Sequence, residues 1–302
     1  MREYCEIKCS EACHRIKSGF PYKWDLNIYR GCEHRCVYCF AVYSHRYMGG
    51  GGGFFDNIYV KANIAERLEK QISSPNWKRE RVNLGGVTDN YQPAEARYRL
   101  MRDVLKTLIK YRNPCYVSTK SKLILRDLDL FEELAYYTEV RVAATITCMD
   151  EEIRRKIEPG AASSLDRFAA LKELKRVGAD VGVHFMPAIP YLTDSDENIE
   201  GICKSARDIG ADYMISCPLN LRGETKANFY EFLIREYPEK LERIKALYKD
   251  GGYVPKEFAA GYYERFALVA EKYGLNRKYR TRGGGASAKP ENIDEYEQIG
   301  FI

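Results

Sequence analysis

No apolar run in this chain approaches the roughly 18 residues that a membrane-crossing helix needs. The opening residues, Met1-Arg2-Glu3-Tyr4-Cys5, lack the apolar region of a secretory leader. Both absences lead to the expectation of a cytoplasmic protein with no membrane partner. Charge of one sign is also scarce: 48 Lys and Arg stand against 43 Asp and Glu, and the resulting +5 permits an anionic partner without demanding one. There is no internal repeat of fixed period and no linker long enough to separate two independent domains. What is present is a balanced mixture, 45% hydrophobic and 30% charged over 302 residues. That excludes a disordered or fibrous chain and suffices for one large core or two modest ones.

Ten cysteines are the first positive signal. Cytosolic thiols stay reduced, so metal binding or catalysis is a better expectation than a disulfide framework. The cysteines fall into two groups, Cys5, Cys9, Cys13 and Cys32, Cys36, Cys39, with Cys115, Cys148, Cys203 and Cys217 scattered beyond them.

Short β-rich runs alternate with longer amphipathic stretches, the pattern of βα units and a parallel sheet. The strand candidates are Leu26 to Tyr29, Arg81 to Gly86, Cys115 to Ser118, Val140 to Thr147, Val181 to Met186 and Tyr213 to Cys217. Helical spacing marks Ile64 to Ile72, Tyr98 to Tyr111, Leu128 to Tyr137, Leu165 to Val177 and Ile199 to Ile209. Gly178 and Gly210 stand where helices end. Right-handed crossovers curl such a sheet toward a barrel or a doubly wound sheet, and six units fit an incomplete barrel. The expected fold is α/β, a partial (β/α)6 TIM-like barrel with a C-terminal helical extension. Its expected parts are a Cys-rich N-terminal segment 1–25, the barrel 26–225, and the extension 226–302 with a basic and then acidic tail. Reactive residues belong at the C-terminal ends of the strands.

Cys32-x-x-x-Cys36-x-x-Cys39 places three thiolates within eight residues, directly after the first strand candidate. Three thiolates suit an iron–sulfur cluster whose fourth iron stays open to a cofactor. The competing reading is a structural zinc site, which needs a fourth ligand such as His34 or His45.

With Tyr38 before its third cysteine, the loop resembles the cluster motif of the radical S-adenosylmethionine superfamily. A narrower resemblance is carried by Asn27-Ile28-Tyr29-Arg30-Gly31-Cys32-Glu33-His34-Arg35-Cys36-Val37-Tyr38-Cys39-Phe40-Ala41, Thr88-Asp89-Asn90-Tyr91-Gln92-Pro93-Ala94-Glu95, Ser118-Thr119-Lys120-Ser121 and Pro187-Ala188-Ile189-Pro190. These motifs, spread from about Leu26 to Arg222, are similar to those of the spore photoproduct lyase-like, DNA repair photolyase-related branch. The resemblance implies a [4Fe–4S] cluster on Cys32, Cys36 and Cys39, with its open iron chelated by S-adenosylmethionine. It implies reductive cleavage of that cofactor to a 5′-deoxyadenosyl radical, fed by an electron donor such as flavodoxin or ferredoxin. It also implies that Tyr38 lies against the adenine, that Gly85, Gly86, Thr88 and Asp89 belong to the glycine-rich element near the methionine amino group, and that Lys120 reaches the carboxylate or ribose. Thr145 and Thr147 would bond the ribose hydroxyls. On chemistry alone, a lysine at the top of a strand is placed to pair with a carboxylate. Asp89 and Glu95 also read as a turn residue and a helix-start residue.

The sequence departs from the lyase at two places. That enzyme returns a hydrogen atom from a cysteine near the end of its second strand and uses a tyrosine after the third cluster cysteine; Gly86 and Phe40 stand there in this chain. A strict lyase reaction is therefore not expected. Cys148 and Cys217, near strand ends, are the candidate replacement donors, with a buried apolar role as the alternative.

Cys5, Cys9 and Cys13, spaced by four, would form one stripe on a helix. That stripe could hold a second cluster or metal, with Cys203 or a substrate atom completing it, or be incidental. Gly49 to Gly53 reads as a mobile lid rather than a phosphate cradle. His34 and His45 read as supporting or surface groups, and His184 as a satisfied core residue. Arg277-Lys278-Tyr279-Arg280-Thr281-Arg282 interleaves cations with an aromatic, suited to phosphate and a stacked base. The expectation is a radical enzyme acting on DNA, RNA or a nucleotide. Its rivals are a radical enzyme for a peptide or small metabolite, and a non-enzymatic iron–sulfur module that binds nucleic acid or senses redox state.

Overall fold

The computed structural model describes residues 3–16, 20–48 and 53–277. Its chain order is β1 (Glu3–Ile7), β2 (Cys13–Arg15), β3 (Trp24–Leu26), β4 (Tyr29–Arg30), a 3-10 turn (Phe40–Met48), β5 (Asn57–Lys61) and α1 (Ile64–Ile72). Then follow β6 (Val82–Leu84), α2 (Ala94–Tyr98), α3 (Leu100–Tyr111), β7 (Cys115–Thr119), α4 (Leu128–Tyr137), β8 (Val140–Thr145), α5 (Glu151–Ile157) and α6 (Ser164–Arg176). The remainder is β9 (Asp180–Ala188), α7 (Asp196–Asp208), β10 (Tyr213–Pro218), α8 (Gly223–Glu236), α9 (Pro238–Leu247) and α10 (Lys256–Lys272).

A seven-stranded sheet runs β10-β9-β8-β7-β6-β3-β2, parallel from β10 to β3 with β2 antiparallel at the edge. All six expected barrel strands are present, each followed by helix, as a partial barrel requires. Register sets Leu26, Leu84, Val117, Val142 and Val181 in one row, and all five lie in the main apolar core with Leu105, Phe131 and Leu171 of the helices. The alternate row, Asp25, Asn83, Tyr116, Arg141 and Asp180, therefore faces the concave side.

Local chemistry explains the helix limits. Asp150, Ser163 and Ser195 each accept a hydrogen bond from a backbone amide at the start of α5, α6 and α7. Gly178 and Gly210 take positive φ just beyond α6 and α7, as the sequence pattern predicts. The stretch expected as one helix from Tyr98 to Tyr111 is instead broken at Arg99, whose φ is 55°. The first barrel strand also lies earlier than expected, because Tyr29 and Arg30 leave it to pair with β5 in a separate sheet ordered β1-β5-β4.

The strands β1 and β2, one in each sheet, overturn the helical reading of the N-terminal cysteines. Cys5 is exposed in β1, the partly buried Cys9 bonds through its backbone amide to Asn63 at 2.9 Å, and Cys13 is buried in β2 opposite Leu26. A strand, a loop and a second strand do not share a helical stripe, and among the described residues no three His, Cys, Asp or Glu side chains close on one ion.

The C-terminal helices are not a separate layer. Phe229 and Phe232 of α8, Ile244 of α9 and Tyr248 share a buried apolar cluster with Cys36, Tyr38 and Cys148, while Thr225 donates to the Cys39 carbonyl at 3.0 Å. Among the described residues no helix is long and apolar enough to cross a membrane. Residues 49–52 of the glycine run, and 278–302 with most of the basic string and the acidic tail, lie outside the described residues.

Candidate active site

The loop bearing Cys32, Cys36 and Cys39 leaves β4 through Gly31, where φ is 83° and a Cβ would lie 2.5 Å from the Asn57 carbonyl oxygen. Polar partners on every side then fix its path. Glu33 donates its amide to Gln92 Oε1 at 3.0 Å, and Gln92 returns a bond to the Gly31 carbonyl at 3.0 Å. The Glu33 carboxylate accepts from the Ala94 amide at 2.7 Å and the Tyr4 hydroxyl at 2.9 Å. Residues 157–160 brace the opposite side: the Val37 amide donates to the Ile157 carbonyl at 3.0 Å, and the Gly160 amide to the His34 carbonyl at 3.0 Å. His34 is held at both ring nitrogens, by the Gly160 carbonyl and the Asp89 carboxylate, each at 2.9 Å. It is a supporting group, as the sequence suggests, and not a ligand.

The three thiols sit on this braced loop, with Cys32 and Cys36 buried and Cys39 partly so. Burial raises all three; Asp89 adds to this at Cys32, and at Cys36 the Lys120 ammonium opposes it, leaving that thiol at about 12. Each of Cys32 and Cys36 also feels the charge of another loop cysteine. Among the described residues no set of three His, Cys, Asp or Glu side chains closes on a single ion. A cluster does not ask for that, because each thiolate binds a different iron. Three neighbouring, mostly buried thiols on a preformed loop therefore fit a cluster better than the tetrahedral zinc alternative, for which neither His34 nor His45 is available. His45 points its Nε2 at the Asn57 carbonyl, at 3.0 Å.

A buried charged assembly stands behind the loop, and the sequence did not single it out. Glu158 is fully buried, pairs with Arg167 at 2.5 Å, and accepts from Thr147 Oγ1 at 2.9 Å and from the Tyr38 hydroxyl. Burial alone would raise Glu158, but Arg167 and Lys120 hold it below the usual glutamate range. Arg167 further donates to the Thr145 and Ala162 carbonyls, each at 2.7 Å. Lys120 Nζ lies 5.8 Å from the Tyr38 ring centroid. Although burial opposes its charge, Cys36, Glu158 and Asp89 raise it, so Lys120 is a firm cation beside the cysteine loop. The only sequence cue to Glu158 is the turn Pro159-Gly160 just after α5.

The other expected cofactor residues divide into two sets. Lys120, Tyr38 and the Thr145–Thr147 strand end are brought together, but Thr147 spends its hydroxyl on Glu158. Asp89 is a scaffold carboxylate: it accepts from His34, Thr119 Oγ1, and the Lys120 and Tyr91 amides at 2.7 to 2.9 Å. Burial would raise it, yet His34 and these donors hold it near 2. Thr88 is likewise buried, and its amide donates to Asn27 Oδ1 at 3.1 Å. The Gly85 amide donates to the Leu26 carbonyl at 3.0 Å. Gly86 packs against Asp25, and a Cβ there would lie 2.4 Å from Asp25 Oδ1. Glu95 proves structural, accepting from Tyr29, Met101 and Arg126.

Cys148 is buried in the same apolar group as Cys36 and Tyr38, and burial pushes its thiol to about 12. Cys217 is partly exposed on β10, also near 12 from burial, within the influence of Tyr248 and Tyr262. Cys203, on α7, pairs with Met214 of β10 at one edge of the large sheet, whereas Cys13 lies on β2 at the opposite edge. His184, buried and held near 3, lies 3.3 Å from the Tyr213 hydroxyl and is a core group as expected. A surface groove of about 430 Å³ between Trp24, Trp77 and α1 lies at the opposite ends of the strands from the cysteines.

Cysteines on the first barrel loop, a firm lysine after the third barrel strand and a partial parallel barrel together define a class. Residues 26–203 match the Radical SAM superfamily model, and the chain belongs to that superfamily. An uncharacterized protein of Mycobacterium tuberculosis (strain H37Rv) is 35% identical over 279 residues, covering 91% of this chain and 82% of that protein. An uncharacterized protein of Methanocaldococcus jannaschii is 31% identical over 224 residues, covering 74% and 79%. A variant spore photoproduct lyase with bound AdoMet and dinucleoside spore photoproduct shares the fold, with a TM-score of 0.67 at 15% identity over 92% of this chain and 82% of that one. The chain is thus a radical SAM superfamily enzyme with the fold of spore photoproduct lyase.

Proposed function

We propose that Cys32, Cys36 and Cys39 hold a [4Fe–4S] cluster with one iron left for S-adenosylmethionine, and that the enzyme acts on a nucleic acid or nucleotide. Bound there, the pair would supply one-electron reductive cleavage of the cofactor's sulfonium. The observation that carries this reading is the loop itself: three neighbouring thiols, held by backbone and side-chain bonds from Gln92, His34 and residues 157–160. In this reading Lys120 offers its ammonium to the cofactor's carboxylate, and Tyr38, anchored through Glu158, presents its ring face next to it. The apolar side chains of α8 and α9 that pack with Cys36 and Tyr38 would keep water out of the bound cofactor's pocket. The fold neighbour with a bound dinucleoside lesion supports a nucleic-acid substrate.

Gly86 and Phe40 have neither the thiol nor the phenol that the lyase carries at these places, so the proposed reaction differs from that of a strict spore photoproduct lyase. Cys217, partly exposed at the end of β10, is the proposed hydrogen-atom donor, with Cys148, buried in one apolar cluster with Cys36 and Tyr38, as the alternative thiol. A Cys36→Ala variant tests the cofactor assignment. Reconstituted anaerobically, it is expected to lose the visible cluster absorbance together with 5′-deoxyadenosine formation, and normal turnover would refute the ligand set.

A further inference from the structure

The place where a side chain at position 86 would project into the barrel is filled from the neighbouring strand. Gly86 has no room for a Cβ: an added one would meet Asp25 Oδ1 at 2.4 Å, Oδ2 at 2.7 Å and Cγ at 2.8 Å. Asp25 sits on the concave row of β3 and is partly exposed there. Asn83 Nδ2 donates to Oδ1 at 2.8 Å, Asn27 Nδ2 donates to Oδ2 at 2.6 Å, and the Gly86 amide supplies a third bond. Asn27 is itself oriented, because its Oδ1 accepts from the Val87 and Thr88 amides at 2.9 and 3.1 Å. Two side-chain amides and a backbone amide thus lock one carboxyl group in a single pose.

A carboxylate has about four acceptor positions, and the protein fills three of them. Burial raises Asp25 while these donors and the Lys61 ammonium oppose the rise, and the side chain stays partly open on the concave row. An acceptor held in that way rewards a matching donor and penalises a carbonyl oxygen in the same position, which would face it lone pair to lone pair. We propose that Asp25 is a specificity-determining residue that accepts a hydrogen bond from an exocyclic amino group of a nucleobase substrate. This rests on the nucleic-acid reading above and narrows it. A base with an amino group, as in cytosine, is favoured over one with a carbonyl at the same ring position, as in thymine.

The test compares oligo(dC) and oligo(dT) of equal length, whose phosphate charge is identical, by equilibrium binding to the reconstituted holoprotein. A bond to a charged group corresponds to a preference of about 10-fold or more for oligo(dC). Asp25→Asn, which presents an amide in the same shape, is expected to lose or invert that preference while its melting temperature and iron content verify the fold. Equal binding of both oligomers by the wild type, or an unchanged preference in the variant, would overturn the proposal. If Asp25→Asn fails to fold, the wild-type ratio still decides. Iron content and 5′-deoxyadenosine, read on the same preparation, report separately on the radical chemistry: their loss with the preference intact would refute that reading and leave the Asp25 assignment standing.

Discussion

Replacing Glu158 with Gln removes one negative charge and keeps the shape of the side chain. Arg167 is 1% exposed and pairs with the fully buried carboxylate, so the variant leaves a guanidinium without its counter-ion. Breaking a buried pair by neutralising one partner costs about 3–5 kcal/mol. The lower end applies here, because Arg167 keeps its bonds to the Thr145 and Ala162 carbonyls. For a chain of this size, about 3 kcal/mol corresponds to a drop of about 5 °C in melting temperature. Circular dichroism melts of the anaerobic protein measure it directly. The control is Glu158→Gln with Arg167→Met: removing the orphaned charge should recover part of the loss, so the double variant melts above the additive expectation. The Tyr38 hydroxyl then bonds a neutral amide oxygen in place of a carboxylate, and this weaker anchor should also weaken S-adenosylmethionine binding in the single variant. A single variant within about 1 °C of wild type, or a strictly additive double variant, would refute the charged-anchor argument.

The structure sets three further expectations. Lys120→Met should weaken S-adenosylmethionine binding by about 10-fold or more, measured by calorimetry on the reconstituted protein, because a charge-assisted bond is removed; unchanged affinity would place that ammonium elsewhere. Replacing Cys5, Cys9 and Cys13 together with Ala should leave iron per chain unchanged in a colorimetric assay, since they lie on β1, a loop and β2 and no three ligating side chains close on one ion among the described residues; a loss of iron would restore the second-cluster reading. His184 is held near 3 by burial, with Lys120 and Arg141 adding to it, against 6.5 in the unfolded chain. Below pH 6.5 the unfolded state takes up a proton that the folded state refuses, so stability falls as pH drops toward 3, by up to about 1.4 kcal/mol per pH unit. His184→Gln should flatten that slope in urea titrations between pH 6 and 4, and an unaltered slope would assign the acid lability to other groups.

The barrel was legible because its strands are buried on the helix side and read as compact apolar runs. Val140–Thr145 and Tyr213–Pro218 end close to where the pattern put them. The cluster loop was legible because its chemistry needs three cysteines close in sequence. Neither the break at Arg99 nor the departure of Tyr29 and Arg30 into the small sheet leaves a local mark, since both are set by tertiary partners. The N-terminal cysteines misled for a related reason: a spacing of four suggests a helix only where the backbone is helical, and β1 and β2 pair with strands instead. Glu158 and Arg167 are nine residues apart and buried, and beyond the Pro159-Gly160 turn nothing in the sequence sets them apart from surface charges. Asp25 stayed hidden similarly. Its meaning comes from Gly86, which reads on its own as a missing side chain and becomes informative only once the neighbouring carboxyl group is seen in that space.

The central claim is tested most directly by anaerobic reconstitution with iron and sulfide, followed by dithionite and S-adenosylmethionine. Iron content and 5′-deoxyadenosine are then measured on the same sample. About four irons per chain with 5′-deoxyadenosine formed is the expected result for one cluster on Cys32, Cys36 and Cys39. Iron bound at that level without 5′-deoxyadenosine, in the presence of candidate oligonucleotide substrates, would contradict the account and favour an iron–sulfur binding or sensing module.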